Sequence, residues 1–231
     1  MSQTSHKILN TLRQMIVSGE LPPGMKLAEI PTAEMLGVSR TPIRSALATL
    51  AQEGLLERIH QRGFHVRHIS KEELVGAVEV RSVLEGLAAR QAVESGLSEA
   101  VLDQLQACLD QGDQLFVKGH ITEEDIAHYH DINKRFHATI IAASGNPAIE
   151  PALARNEHLP FASPNAIRFD RHALDREYQR FAYAHQQHHT VVDAMRRGQG
   201  ARAEALMREH AHVTIRYVDV DDLTHLPDTV N

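Results

Sequence analysis

The chain has 231 residues, of which 42% are hydrophobic and 23% charged, and a formal net charge of −6 at pH 7. That length accommodates two domains, each able to bury its own core. The single cysteine, Cys108, excludes an intramolecular disulfide framework, and no apolar run is long enough to span a membrane. The opening segment, Met1 to Lys7, lacks the apolar core of a signal peptide, so the chain is expected to act in the cytoplasm.

Ile8, Leu12 and Ile16 recur every four residues and predict a first helix, with Leu9 and Met15 beside the stripe. Gly19 closes it, and Leu21-Pro22-Pro23-Gly24 makes a stiff connection. Thr32 is expected to cap a short helix that runs through Leu36. Gly37 then supplies the positive φ that ends that helix. Ser39 is placed to cap the next one, and Pro42 is tolerated because it lies in the first turn. Ile43, Leu47 and Leu50 give that helix one buried seam, while Arg40, Thr41, Arg44 and Ser45 occupy the opposite face. An apolar seam backed by guanidinium groups near a helix N-terminus suits reading of a DNA major groove. The plainer alternative is a surface helix with two solvated arginines.

Beyond Gly54, Leu56–Ile59 and Phe64–Arg67 suit two short strands joined by residues 60–63. Three helices followed by a hairpin make a winged helix-turn-helix. Arg62 and Gly63 fall at the wing tip, where a long cation and a small residue can enter a minor groove. Gly63 suits an ordinary hairpin equally well. Residues 1–70 carry a net charge of +3 and the remainder −9, a basic head on an acidic body. Only the head is suited to phosphates, and the expected partner is double-stranded operator DNA.

The segments Gly19 to Gly24, Gly37 to Arg44, Gly54 to Leu56 and Arg62 to Phe64 carry a resemblance. Residues from about Ile8 to Val66 resemble the DNA-binding domain of the GntR family of bacterial transcription regulators. Members commonly have glutamate and alanine after the second arginine of this motif, where this chain has Ser45 and Ala46. Many carry an arginine at the start of the second helix, where this chain reads Glu29-Ile30-Pro31-Thr32.

A boundary near Ser70 divides a head of residues 1–70 from a body of residues 71–225. Ser70 can cap a helix whose first turn holds Glu72 and Glu73. The pattern beyond it predicts helices at about 71–95, 98–117, 122–144, 147–156, 170–197 and 201–218. Asn146-Pro147 reads as a cap followed by proline at the first helical position. Residues 159–164 should form a loop. The expected architecture is mainly α, with an all-helical antiparallel bundle as the body.

The chain has 16 histidines. Gln199 centres the turn between the last two long helices. His188 precedes it by eleven residues and His210 follows it by eleven, so an antiparallel hairpin brings both to one level. Asn133 and His137 share a helix face at i, i+4. Nitrogen and oxygen donors from three helices of one bundle can hold a divalent ion, zinc or nickel above all. The ordinary alternative is a set of surface or hydrogen-bonded histidines, the reading given to His120, His128, His172, His212 and His225. His185 and His189 adjoin the candidate ligands.

Arg81 to Ala89, Asn133 to His137 leading to Pro147, and His188 to Ala194 with Ala203 to His210 carry a second resemblance. The body resembles the FadR C-terminal ligand-binding domain, the all-helical effector domain of a large GntR subfamily. In its metal-binding members the ligands are one aspartate and three histidines. By position these fall on Asn133, His137, His188 and His210. Asn133 is the departure, since a carboxamide oxygen is neutral and a weaker donor than a carboxylate. Arg81 lies among Val78, Leu84, Leu87 and Ala88, so an inward guanidinium needs an anionic partner. That partner is either an effector carboxylate or Glu85 at i, i+4. The resemblance implies a homodimeric regulator without enzymatic activity, controlled by a small carboxylate effector bound between Arg81 and the metal. A sensor for which the ion itself is the signal, and a metal-dependent enzyme with a DNA-binding appendage, are the alternatives.

Overall fold

Among the described residues, head and body each have their own hydrophobic core. A computed structural model describes residues 3–17, 19–59, 63–68, 70–155 and 173–216. The head comprises α1 (Gln3–Val17), α2 (Glu29–Leu36) and α3 (Arg40–Gln52) with three strands, β1 (Lys26–Leu27), β2 (Leu56–Ile59) and β3 (Gly63–Val66). The sheet is antiparallel in the order β1-β3-β2, with Leu56 opposite Val66 and Ile59 opposite Gly63. Ile8, Leu12 and Ile16 of α1 meet Ile43, Leu47 and Leu50 of α3 in the head core, so both predicted stripes are buried.

Three details depart from expectation. The second helix starts at Glu29 with Ala28 at its N-cap, and Thr32 is buried inside it rather than capping it. Glu29 favours the positive end of the helix dipole, and Pro31 fits in a first turn, so the helix begins upstream. Ser39 holds the N-cap position of α3, but its side chain makes no capping hydrogen bond. Strand β1 has no signal in the sequence, since two residues are too few to display alternation. Gly37 takes φ 64°, ending α2 in the left-handed conformation.

The body comprises α4 (Lys71–Glu94), α5 (Glu99–Phe116), α6 (Glu123–Ala143), α7 (Ile149–Ala154), α8 (Leu174–Arg196) and α9 (Gly200–Arg216). Ser70 and Glu73 form a capping box at the start of α4, and Thr122 and Asp125 form another at α6. Asn146 does not cap α7. Its Oδ1 accepts from the backbone N–H of Ala148 at 3.0 Å and closes a turn ahead of the helix, which leaves Pro147 outside. The expected loop at 159–164 and the helix ends at 170–172 and 217–218 lie outside the described residues.

Small residues set how closely the helices approach. Gly86 of α4 faces α9, where a Cβ would stand 2.6 Å from Arg208 Cγ and 3.0 Å from the Glu204 carbonyl oxygen. Ala88, Ala89 and Ala92 continue that face into a core with Leu105, Phe136, Val191 and Met207. At the junction, Arg67 Nε donates to the Gly54 carbonyl at 2.6 Å, and Nη1 of the same side chain lies 2.8 Å from Glu73 Oε1 on α4. No described helix is long and apolar enough to cross a membrane.

Candidate functional site

Four helices aim polar side chains at one buried point in the body. His137 on α6, His188 on α8 and His210 on α9 are each nearly fully buried. His188 Nε2 lies 3.0 Å from His210 Nε2, which in turn lies 3.3 Å from His137 Nε2. All three ligand atoms fall within 4.8 Å of one another. Nitrogen ligands of a tetrahedral zinc ion sit about 3.3 Å apart, given bonds of roughly 2.0–2.1 Å. Two of the three nitrogen separations are close to that spacing, and the donor set is one that zinc accepts.

Two of the other ring nitrogens lie beside protein oxygens. His210 Nδ1 lies 3.2 Å from Gln187 Oε1, which suits an N–H there and leaves Nε2 as the lone-pair atom. His137 Nδ1 lies 3.1 Å from Glu85 Oε2, a close contact off the ideal hydrogen-bond line. The His188 ring stacks on Phe136 at 4.0 Å between centroids. Burial drives the His188 imidazole well below its ordinary pKa, and the neighbouring His210 and His137 add to this. Burial, then His137 and Arg81, lower His210 in the same way. Both rings are neutral near pH 7, the form that binds metal. Asn133 is also buried, one turn before His137 on the same face of α6.

Arg81 and Glu85 complete the cluster. Arg81 Nε donates to Glu85 Oε1 at 3.1 Å, with both side chains buried. Burial pushes the Glu85 carboxyl up, but Arg81 and His137 outweigh it and hold the group well below the usual carboxylate range. The i, i+4 partner of Arg81 is thus present, in an interior where an isolated arginine would be strongly disfavoured. The sequence gives Glu85 as a partner of Arg81. Its second contact, to His137 across the bundle, has no signal in linear spacing, and neither does the Gln187–His210 contact.

In the head, Arg40, Thr41, Arg44 and Ser45 all lie exposed on α3, opposite its buried seam. Arg40 Nη2 is 3.5 Å from Glu29 Oε2, a solvent-exposed pair of little energetic weight. Gly63 opens β3 with φ 106°, and a Cβ there would come within 2.9 Å of the Leu27 carbonyl oxygen. Its lack of a side chain is required inside the sheet, where β1 approaches closely. Arg62 lies outside the described residues. Of the neighbouring histidines, His185 and His189 both contact Asp113, and the His185 ring lies edge-on to His188 at 6.0 Å between centroids.

Residues 4–66 match the gntR family of bacterial regulatory proteins, and residues 77–213 match the FCD domain. The chain is 27% identical over 208 residues to the HTH-type transcriptional repressor GlaR of Escherichia coli (strain K12), covering 86% of this chain and 88% of the relative. It is 29% identical over 218 residues to the HTH-type transcriptional regulator LutR of Bacillus subtilis (strain 168), covering 85% and 92%. The fold is similar to that of E. coli McbR/YncC, with a TM-score of 0.67 at 24% identity over 94% of this chain and 97% of that one.

Proposed function

Because the chain belongs to the GntR family of bacterial regulatory proteins, with an FCD domain as its body, and is a DNA-binding transcription regulator, we propose a homodimeric repressor under metabolite control. It would act in the cytoplasm, two heads engaging a pseudo-palindromic operator with each α3 in a major groove. Arg40, Thr41, Arg44 and Ser45 are assigned to bases and phosphates, and Arg62 and Gly63 to the wing contact. The repressor mode has support from the similarity to GlaR.

The observation that carries the role of the body is the convergence of His137, His188 and His210 beside the buried Arg81–Glu85 pair. These imidazoles, with the amide oxygen of Asn133, would hold a divalent ion such as zinc or nickel. When bound, the ion supplies a Lewis-acid coordination point for an anion. The protein groups define what else binds. His188, His210 and Asn133 are neutral near pH 7, and the charges of Arg81 and Glu85 offset each other. A buried dication thus carries uncompensated positive charge, which favours a small organic acid as the completing ligand. Arg81 holds Glu85 through Nε, and we assign its two terminal amino groups to the incoming carboxylate.

Helix α4 links the two ends of the molecule. It carries Arg81 and Glu85 and, about two turns earlier, Glu73, the partner of Arg67. An effector that prefers one placement of α4 would bias the heads through that contact.

The test is elemental analysis of freshly purified protein, with thermal shift on adding zinc or nickel. Up to one ion per chain is expected at the interior site, lost in His188→Ala. Calorimetry with a panel of hydroxy acids then probes Arg81→Ala, which should lose the acid but keep the metal. No metal in the protein and no thermal response would reduce the histidines to core residues. Unchanged acid affinity in Arg81→Ala would leave Arg81 as a partner of Glu85 alone. Consumption of the acid would mark an enzyme.

A further inference from the structure

Asp113 on α5 and His185 and His189 on α8 form a second cluster of ligand-bearing side chains, outside the interior site. Asp113 Oδ1 lies 3.0 Å from His185 Nε2 and 2.9 Å from His189 Nε2, so one carboxylate oxygen gathers two imidazoles. The three ligand atoms lie within 4.8 Å of one another. His185 and His189 are i, i+4 on α8, which puts both on one face.

The cluster is rigid on its inner side. His185 is 4% exposed. Its ring lies on the backbone of α5 at Gly112, where a Cβ would stand 2.1 Å from the ring Cε1. Phe116 and Tyr129 flank the ring at centroid distances of 5.4 and 6.1 Å. Gly112 therefore makes room for one ligand and sits next in sequence to another. On the outer side Asp113 is exposed and His189 half-buried, so the cluster opens to solvent.

We propose that Asp113, His185 and His189 form a second divalent-metal site, solvent-facing and separate from the interior trio. Two imidazoles and one carboxylate are the donor set of a late first-row ion such as zinc, nickel or copper, and a poor one for magnesium or calcium. Water would fill the remaining positions on the open side. Without metal, each Nε2 can carry a hydrogen toward Asp113. Binding moves that hydrogen to Nδ1 of the same ring and frees the Nε2 lone pair, so charge and atoms balance within the imidazole. The ion would bridge α5 and α8 and raise the melting temperature of the body. The two clusters share no residue, and the His185 and His188 ring centroids are 6.0 Å apart, so two ions would occupy neighbouring but distinct positions.

The experiment titrates zinc chloride, and separately nickel chloride, into the full-length chain after removal of metal with a chelator. Calorimetry gives affinities, and elemental analysis after dialysis gives stoichiometry. The wild type should take two ions per chain. Asp113→Asn and His189→Ala, both at outer positions, should each lose one ion and keep the other. His210→Ala should show the converse, losing the interior ion and keeping the outer one. Circular dichroism melts check that each variant is folded. If Asp113→Asn and His189→Ala leave every binding step unchanged, the contacts to Asp113 are plain hydrogen bonds and the proposal falls. If one ion binds and only His210→Ala removes it, the outer site falls while the interior reading stands. If only Asp113→Asn and His189→Ala remove it, the outer site stands and the interior reading falls. Wild-type protein that binds neither ion removes both.

Discussion

Arg40 stands on the open face of α3 with a side chain 64% exposed, whereas Arg81 lies 4% exposed against Glu85 in the middle of the body. The two guanidiniums illustrate how head and body handle charge. The cations on the open face of α3, Arg40 and Arg44, stay exposed, which suits a DNA backbone that arrives as a surface and gives up counterions when it is met. At its centre the body buries and pre-pairs Arg81 and Glu85 and keeps His188 and His210 neutral, an arrangement that suits the enclosed small ligand proposed above. The net charges follow the same division, +3 for residues 1–70 and −9 beyond. An acidic body also disfavours DNA contact except through the head.

The largest effect should come from removing one imidazole. His210→Ala should weaken metal binding at the interior site by roughly 100-fold or more, since even partners of ligands contribute about 10–100-fold. The operator affinity of the effector-free head should stay as it was, measured by fluorescence anisotropy on the same sample. A loss of DNA binding equal to the loss of metal would erase the division between the two regions.

Next in size is Arg44→Ala. A lost base-edge contact should cost about 1–3 kcal/mol of specific binding and relax sequence preference at one position. Arg62→Ala should weaken binding more evenly across sequences. Arg44→Ala with parental affinity and preference would mean that α3 is not the reading helix.

Acidification separates the regions by a different route. Burial lowers the pKa of His188 and His210 in the folded chain, while the unfolded chain titrates near ~6.5. Below that pH the unfolded state binds more protons. The stability these groups contribute is therefore full above about pH 6.5 and is lost as pH falls toward their folded values. Chelator-stripped protein should melt at lower temperature at pH 5.5 than at pH 7.5. His210→Ala should flatten part of that slope, and Arg44→Ala should not. An identical slope in His210→Ala would contradict the buried, neutral state.

The smallest effect concerns the joint. The Arg67–Glu73 pair is partly exposed and should be worth about 0.2–1 kcal/mol. Arg67→Ala should leave metal and acid binding intact while narrowing the difference in operator affinity between effector-free and effector-bound protein. An undiminished difference would place the coupling elsewhere than this contact.

The sequence made the helices of both regions legible through four-residue stripes such as Ile8, Leu12 and Ile16, and through caps such as Ser70. It misplaced the cap of α2, because Thr32 has good capping chemistry at a position where the chain is already helical. The interior histidines could be found because a tight turn makes His188 and His210 mirror images in number. Glu85 could be read only as the local partner of Arg81, since its approach to His137 is set by how α4 packs on α6. Asp113 was missed for the same reason. It meets His185 and His189 across 72 and 76 residues, and the glycine that admits the ring gives no hint of what fills its space.

The most direct test of the account is operator binding by full-length protein in three states: chelator-stripped, zinc-loaded, and zinc-loaded with a panel of hydroxy acids. The predicted result is similar operator affinity in the first two states and a clear change with one acid only when zinc is present. His210→Ala should abolish that change. A shift with zinc alone would make the ion itself the signal, and an acid response of full size in chelator or in His210→Ala would contradict a metal-centred receptor in the body.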